Sequence, residues 1–381
     1  MIAEPNRRVA IISSSATALV LFRGPLIEEM NRRGYTVAAL APDYTDESRA
    51  AIVNCGAEPI DYPLERKGTN LRDDLSSVVA LVRILSNHRP GIVLSHFMKP
   101  VIYGTLAASM ARVPHRYAMI EGLGFAFTDT GERSLAKRAL RKAMQTLLRV
   151  ALRGAKRVIF LNDDDRRELV SAGVAPAERS VVLGGIGLPL TEFAFAPPRT
   201  EGAPVFLMIG RLIKEKGIAE FVAAARLVRA SCPDARFILL GGVDPKPGSP
   251  DEDEVRGWVE EGLIEWPGIV VDVRPYIRQS TVYVLPSYRE GVPRSTQEAM
   301  AIGRAVITTD VPGCRATVDH GVNGLLVAPR DAAALAEAML QLAADPLRGA
   351  RMGRESRRIA EERFDGVVVN ERLLGFMGMN I

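Results

Sequence analysis

Pro286 to Asp310 reads PSYREGVPRSTQEAMAIGRAVITTD, and its order of apolar runs and breakers decides the fold class. Just before it, Tyr283-Val284-Leu285 is the short apolar run of a strand buried in a parallel sheet. Gly291 and Pro293 break that run, and Pro293 stands where a helix opens. The helix predicted over Ser295–Ile302 carries Glu298, Ala299 and Met300 and ends at Gly303. Ala305–Thr309 returns as a second strand. Glu290 therefore falls on the turn and Glu298 inside the helix. Open α/β sheets bind ligands beyond the carboxyl ends of their strands, where this turn belongs. N–H groups at the helix start suit phosphate or sugar oxygens, and carboxylates accept strongly from hydroxyls.

The same alternation extends outward in both directions. Around the quoted stretch, strands are predicted at Val205–Ile209, Arg236–Leu240, Ile269–Val271, Val282–Leu285 and Gly324–Val327. Helices at Gly217–Ala230, Glu254–Glu261 and Ala332–Ala344 separate them. Upstream, strands recur at Val9–Ser14, Tyr35–Ala41, Ala57–Tyr62, Gly91–Ser95, His115–Ile120 and Arg157–Leu161, with helices at Leu21–Arg33 and Leu71–Asn87. Strand–helix alternation at this spacing implies doubly wound parallel sheets. Gly184 to Gly202 is rich in Gly and Pro without periodicity and reads as a linker. The organisation expected is a first Rossmann-like domain over 1–185, a linker over 186–202, a second domain over 203–363, and an apolar terminal helix over 364–381. Strand one is not followed by G-x-G-x-x-G, which argues against a nicotinamide enzyme.

Bulk properties agree. A chain of 381 residues is long for one core, and 47% hydrophobic with 25% charged residues is the balance of a globular protein. Three widely spaced cysteines, Cys55, Cys232 and Cys314, form neither a metal pattern nor a disulfide framework and fit a reducing cytoplasm. Arg7-Arg8 before VAIISSSATALVLF imitates a secretory signal. Glu4, the interrupting serines and Arg23 argue for a first strand instead.

Glu290-Gly-Val-Pro followed by Glu298-Ala-Met and Gly303, set between LPSY and AVITTDVPGC, resembles the E-x7-E signature of family 4 retaining glycosyltransferases of the GT-B fold. Gly210-Arg211-Leu212 with Lys216 and Gly217 is similar to that family's G-R-L-x-x-x-K-G pattern. The resemblance implies two Rossmann-like domains facing a cleft, with the C-terminal helix crossing back to the first. It implies that Arg211 and Lys216 hold the diphosphate of a nucleotide-sugar donor, for which fork and point-charge cations are suited. It gives Glu298 the ribose hydroxyls and Glu290 the donor sugar, supported by N–H groups of Gly291, Val292 and Arg294; Pro293 has none to give. Asp272 and Arg274 fall in the usual nucleobase region.

On the first domain, His96 and Lys99 lie just past a strand end, and Glu121 opens the glycine-rich run EGLGFAFT. That run resembles the I-T-G-L-G loop of family members acting on lipid-linked sugars. Where many retaining members carry a His, this chain has Glu121. Two readings stand for it: a carboxylate that binds or deprotonates an acceptor hydroxyl, or a helix cap. His96 and Lys99 are acceptor-side candidates, and Arg23, in an F-R-x-P-L context, is expected to face the cleft.

Glu132 to Arg157 carries nine bases against one acid. At helical spacing Leu140, Met144, Leu147 and Leu148 share a face, the profile of a helix lying on an anionic membrane surface; a domain helix with leucines in the core is the alternative. Without stacking aromatics, nucleic acid is a poor partner. The function expected is metal-independent, retaining transfer of a sugar from a nucleotide diphosphate, UDP foremost, to a polyprenyl-diphosphate-linked saccharide. No cofactor is expected, and the place of action would be the inner membrane face. A nucleotide-sugar 2-epimerase and a non-catalytic nucleotide-binding scaffold are the rivals.

Overall fold

The computed structural model describes residues 6–65, 71–129, 134–244 and 246–379. Glu4 and Glu132, named above, lie outside them. Contacts divide the chain into two compact units: Met1–Phe127, Arg133–Ile186 and Val367–Ile381 form the first, Thr128–Glu132 and Gly187–Gly366 the second.

Unit one is built on strands β1 (Arg8–Ile12), β2 (Thr36–Ala41), β3 (Ala57–Asp61), β4 (Ile92–His96), β5 (His115–Ile120), β6 (Arg157–Phe160) and β7 (Ser180–Val182). Its helices are α1 (Ala16–Arg32), α2 (Asp46–Asn54), α3 (Leu71–His88), α4 (Met98–Met110), α5 (Leu135–Arg153) and α6 (Asp163–Ser171). The sheet order is β3-β2-β1-β4-β5-β6-β7, and every pairing is parallel. β4 is buried along its whole length, as expected for a central parallel strand with helices on both faces.

Unit two repeats the plan with β8 (Val205–Ile209), β9 (Arg236–Leu240), β10 (Glu265–Gly268), β11 (Val282–Leu285), β12 (Ala305–Thr309) and β13 (Gly324–Val327). Its helices are α7 (Ile218–Ser231), α8 (Glu252–Glu260), α9 (Arg274–Gln279), α10 (Arg294–Ile302), α11 (Ala332–Ala344) and α12 (Pro346–Arg363). The order is β10-β9-β8-β11-β12-β13, again parallel. Strand order reverses between β1 and β4 in one sheet and between β8 and β11 in the other. These are the points where doubly wound sheets open a crevice for ligands.

The last helix, α13 (Gly366–Met377), belongs to unit one. Tyr117 of β5 donates its hydroxyl to Met377 O. Arg372 donates to Leu183 O at 2.8 Å, and Arg33 to Met379 O at 2.9 Å. Where the chain leaves unit two it is bridged to itself, Leu188 N to Phe364 O and Gly366 N to Leu188 O, each at 2.8 Å. The Gly/Pro-rich connection is packed rather than loose: Ala196 accepts from the buried Arg304 and donates to Ile302 O.

Four features differ from the sequence reading. The strand expected at Ile269–Val271 is a loop with Val271 fully exposed. The pairing falls instead on Glu265–Gly268, an edge strand that tolerates Pro267 because an edge N–H faces outward. α1 starts at Ala16, since the Asp43 carboxylate, from the loop after β2, accepts from Ala16 N at 2.6 Å. β7 is three residues long, too short for a periodic signal. α12 is rich in charge but buries Ala350, Met352, Ile359 and Ala360; it is started by Asp345 and Pro346 and laced by Arg357–Glu361 and Arg358–Glu362.

Candidate active site

In unit two the two loops that leave the switch point, one after β8 and one after β11, are locked together. Gly217 closes the Lys214–Lys216 turn with φ +75°, and a Cβ there would lie 2.2 Å from Pro286 O. Only glycine allows this approach. Tyr288 N donates to Glu215 O at 2.8 Å, and Glu290 N to Pro312 O at 3.0 Å. A Cβ on Gly313 would strike Glu290 O, so the Glu290 loop is held from both sides.

This backbone brings two of the predicted donor residues into contact. Lys216 Nζ lies 2.6 Å from Glu290 Oε1. Ser287, which the sequence reading did not single out although it stands within the quoted stretch, donates to the same oxygen at 2.7 Å. One turn into α10, Glu298 is buried and accepts from Arg294 Nε at 2.8 Å. Burial raises the Glu298 carboxyl above its ordinary value, with Arg294 working against it. Arg294 is thus paired four residues along its own helix. Gln297 donates to Val292 O at 3.1 Å, fixing the turn of Gly291 and Val292.

Arg211 follows β8, is 62% exposed at its side chain, and pairs with Asp244 at 2.8 Å. Asp272 and Arg274 pair with each other beside α9, also at 2.8 Å. Asp244 was missed because nothing in the sequence links it to Arg211, 33 positions earlier. The positive end of α7 begins directly after Lys216. The loop pair therefore offers an ammonium, a guanidinium and a helix start for an anion, beside two carboxylates that accept from hydroxyls.

In unit one, His96 ends β4, Glu121 follows β5, and Arg23 comes from α1. All three meet: His96 Nδ1 is 3.0 Å from Glu121 Oε1, and Arg23 Nη2 pairs with that same oxygen. Burial alone would raise the Glu121 carboxyl, but Arg23 and His96 outweigh it and hold it below the ordinary range. Burial also lowers His96, keeping it neutral. Arg23 was expected to face the cleft. Instead it is 1% exposed, because its guanidinium is turned inward onto Glu121, Met119 Sδ and Phe22 O. Lys99 stands apart from this trio, held by Glu65 O at 2.6 Å and Asp74 at 3.0 Å.

The basic helix is α5, started by Ser134. Three of the four apolar residues assigned to its membrane face, Leu140, Met144 and Leu148, pack against the core of unit one; Leu147 stays 43% exposed. Arg141 pairs with Glu168, and Arg149 caps α6 through Ala172 O and Gly173 O. The outward face left over carries Arg138, Lys142, Val150 and Arg153, with Leu135 and Leu147 beside them. Among the described residues no helix is long and apolar enough to cross a membrane.

Residues 203–345 match the glycosyl transferases group 1 family, and residues 23–185 match the glycosyl transferase 4-like domain. The chain belongs to the group 1 glycosyl transferases. Among curated relatives of this glycosyltransferase, it is 26% identical to the Campylobacter jejuni N,N'-diacetylbacillosaminyl-diphospho-undecaprenol alpha-1,3-N-acetylgalactosaminyltransferase, over 89% of this chain and 90% of the relative. It is 24% identical to the Staphylococcus aureus capsular polysaccharide biosynthesis glycosyltransferase CapM, over 97% and 96%. The Anabaena HepE structure in complex with UDP and glucose superposes with a TM-score of 0.75 at 19% identity, covering 98% of this chain and all of that one. The fold is GT-B.

Proposed function

We propose that this glycosyltransferase moves a sugar from a UDP-linked donor, with retention, to a hydroxyl of a polyprenyl-diphosphate-linked saccharide in surface polysaccharide assembly. The observation that carries the donor half is the Lys216–Glu290–Ser287 cluster beside Glu298 at the β8/β11 switch point. In this reading Arg211, Lys216 and the start of α7 take the diphosphate. Glu298 accepts from the ribose and Glu290 from the donor sugar. Charge that develops on the departing diphosphate is met by side-chain cations already in place, the preorganised electrostatics that lower such barriers. The acceptor hydroxyl then attacks the face the diphosphate leaves, with its proton passing to a diphosphate oxygen.

The acceptor half rests on the curated relatives, among them one named for a diphospho-undecaprenol saccharide, and on the EGLG loop of unit one. Docking at an anionic bilayer is assigned to the outward bases of α5, Arg138, Lys142 and Arg153, each contributing about 1 kcal/mol near such a surface.

The test is a panel of UDP-sugars against GlcNAc-diphosphoundecaprenol, run with EDTA, the anomeric configuration of the product being read by NMR. An α-linked product formed in EDTA is the expected result. Inversion, or dependence on added metal, contradicts the mechanism. No transfer to any lipid-linked saccharide contradicts the acceptor class.

A further inference from the structure

We propose that Arg23 and His96 are positioning residues that clamp the Glu121 carboxylate by one oxygen, Oε1, and so present the other, Oε2, to a hydroxyl of the incoming acceptor saccharide. The inference rests on the functional reading above and names how unit one would hold its substrate.

Both partners converge on a single oxygen. Arg23 Nη2 and His96 Nδ1 each contact Oε1. Among the described residues Oε2 has no hydrogen-bond partner, and it is not one of the unpaired polar atoms sealed from solvent. A carboxylate gripped symmetrically would spend both oxygens on structure; this one spends one. Because an ionised Glu121 can only accept, the proton of neutral His96 sits on Nδ1. Its Nε2 is sealed and unpaired, which suits a ring whose work is to donate from the other side. The fully buried Arg23 supplies the charge that keeps Glu121 ionised.

Location separates this trio from an ordinary buried ion pair. β4 and β5 lie next to each other, with His96 paired in register with Met119. Glu121 therefore stands just beyond the carboxyl end of the sheet, one strand from the switch point. The backbone on either side is unusual. Phe97, directly after His96, has φ +69°, a costly conformation for an aromatic residue. Gly122, directly after Glu121, has φ +141°. Phe97 thus fixes the backbone beside His96, and Gly122 turns the chain sharply beside Glu121, at the ends of two neighbouring strands.

The test uses the full chain with the UDP-sugar that transfers to GlcNAc-diphosphoundecaprenol. Acceptor kcat/KM and UDP affinity are read for each variant. Glu121→Gln is expected to cut acceptor kcat/KM by roughly 10- to 100-fold, the range for losing a hydrogen bond to a charged group, with UDP affinity within about twofold. His96→Leu should fall in the same direction, and His96→Asn, whose amide can donate where Nδ1 does, should recover most of the loss. Two results overturn the inference: Glu121→Gln transferring at the wild-type rate, or His96→Leu and His96→Asn falling equally with UDP binding lost in step. The second would make the trio a structural ion pair. A wild type that binds UDP but transfers to no lipid-linked saccharide defeats the functional reading, and this inference falls with it.

Discussion

Lys216 and Glu290, 74 positions apart in the chain, meet at 2.6 Å because Gly217 lets the β8 loop press against Pro286 O. The pair is partly buried, so neither charge is fully screened by water. Its ammonium keeps two further N–H groups, which in the proposed function meet the oxygens of a diphosphate. Lys216→Ala is expected to lower kcat by roughly 100- to 1000-fold, the scale for losing one preorganised donor to developing charge. The far-ultraviolet circular dichroism of the variant should be unchanged. Steady-state kinetics decide it, and a loss of less than about tenfold would remove Lys216 from the chemistry.

Acid stability should report the Arg23–Glu121–His96 trio. His96 is held below its ordinary 6.5 by burial, so the unfolded chain binds a proton that the folded chain refuses. Stability therefore falls as pH drops through about 6.5. Glu121, held low in the folded state, contributes fully above about 4.5 and loses that contribution as pH falls further. Glu298 has the opposite sign, since burial raises it and protonation relieves its cost. Urea midpoints at pH 7 and pH 5 should differ more for wild type than for His96→Asn. Equal differences would contradict a buried neutral His96.

Arg304 predicts a purely structural loss. It is fully buried and donates to Ile277 O at 2.7 Å, Ala196 O at 2.8 Å and Arg278 O at 3.1 Å. Burial lowers its guanidinium to about 10. Arg304→Met would remove all three hydrogen bonds, with only Ile277 O keeping another donor, the Ser280 hydroxyl, at a cost of about 3 kcal/mol. Scanning calorimetry should show Tm lower by roughly 6–12 °C. A drop under about 2 °C would mean that water replaces the guanidinium.

Much of the fold is legible in the sequence because parallel strands buried on both faces must be continuous apolar runs. His115–Ile120, Val205–Ile209, Arg236–Leu240, Val282–Leu285, Ala305–Thr309 and Gly324–Val327 all coincide with observed strands. Edges are harder. β10 carries Trp266 and Pro267 rather than the neighbouring Ile269 and Val271, since pairing, not hydropathy, chooses the register there. The meeting of Lys216 with Glu290 was legible only through the family pattern that the two residues match. What spacing does not reveal is which way a side chain turns. Arg23 faces inward onto Glu121, Lys99 is tied to Asp74, and the leucines of α5 serve the core. Each of these is a choice of long-range partner, made by packing between elements distant in the chain.

The central claim is that unit two is a nucleoside-diphosphate site built on Lys216, Glu290 and Glu298, and calorimetric titration with UDP tests it most directly. Wild type should bind, and Lys216→Ala and Glu298→Ala should each weaken binding by roughly 10- to 100-fold. Absence of binding in the wild type, or affinities untouched by both substitutions, would contradict it.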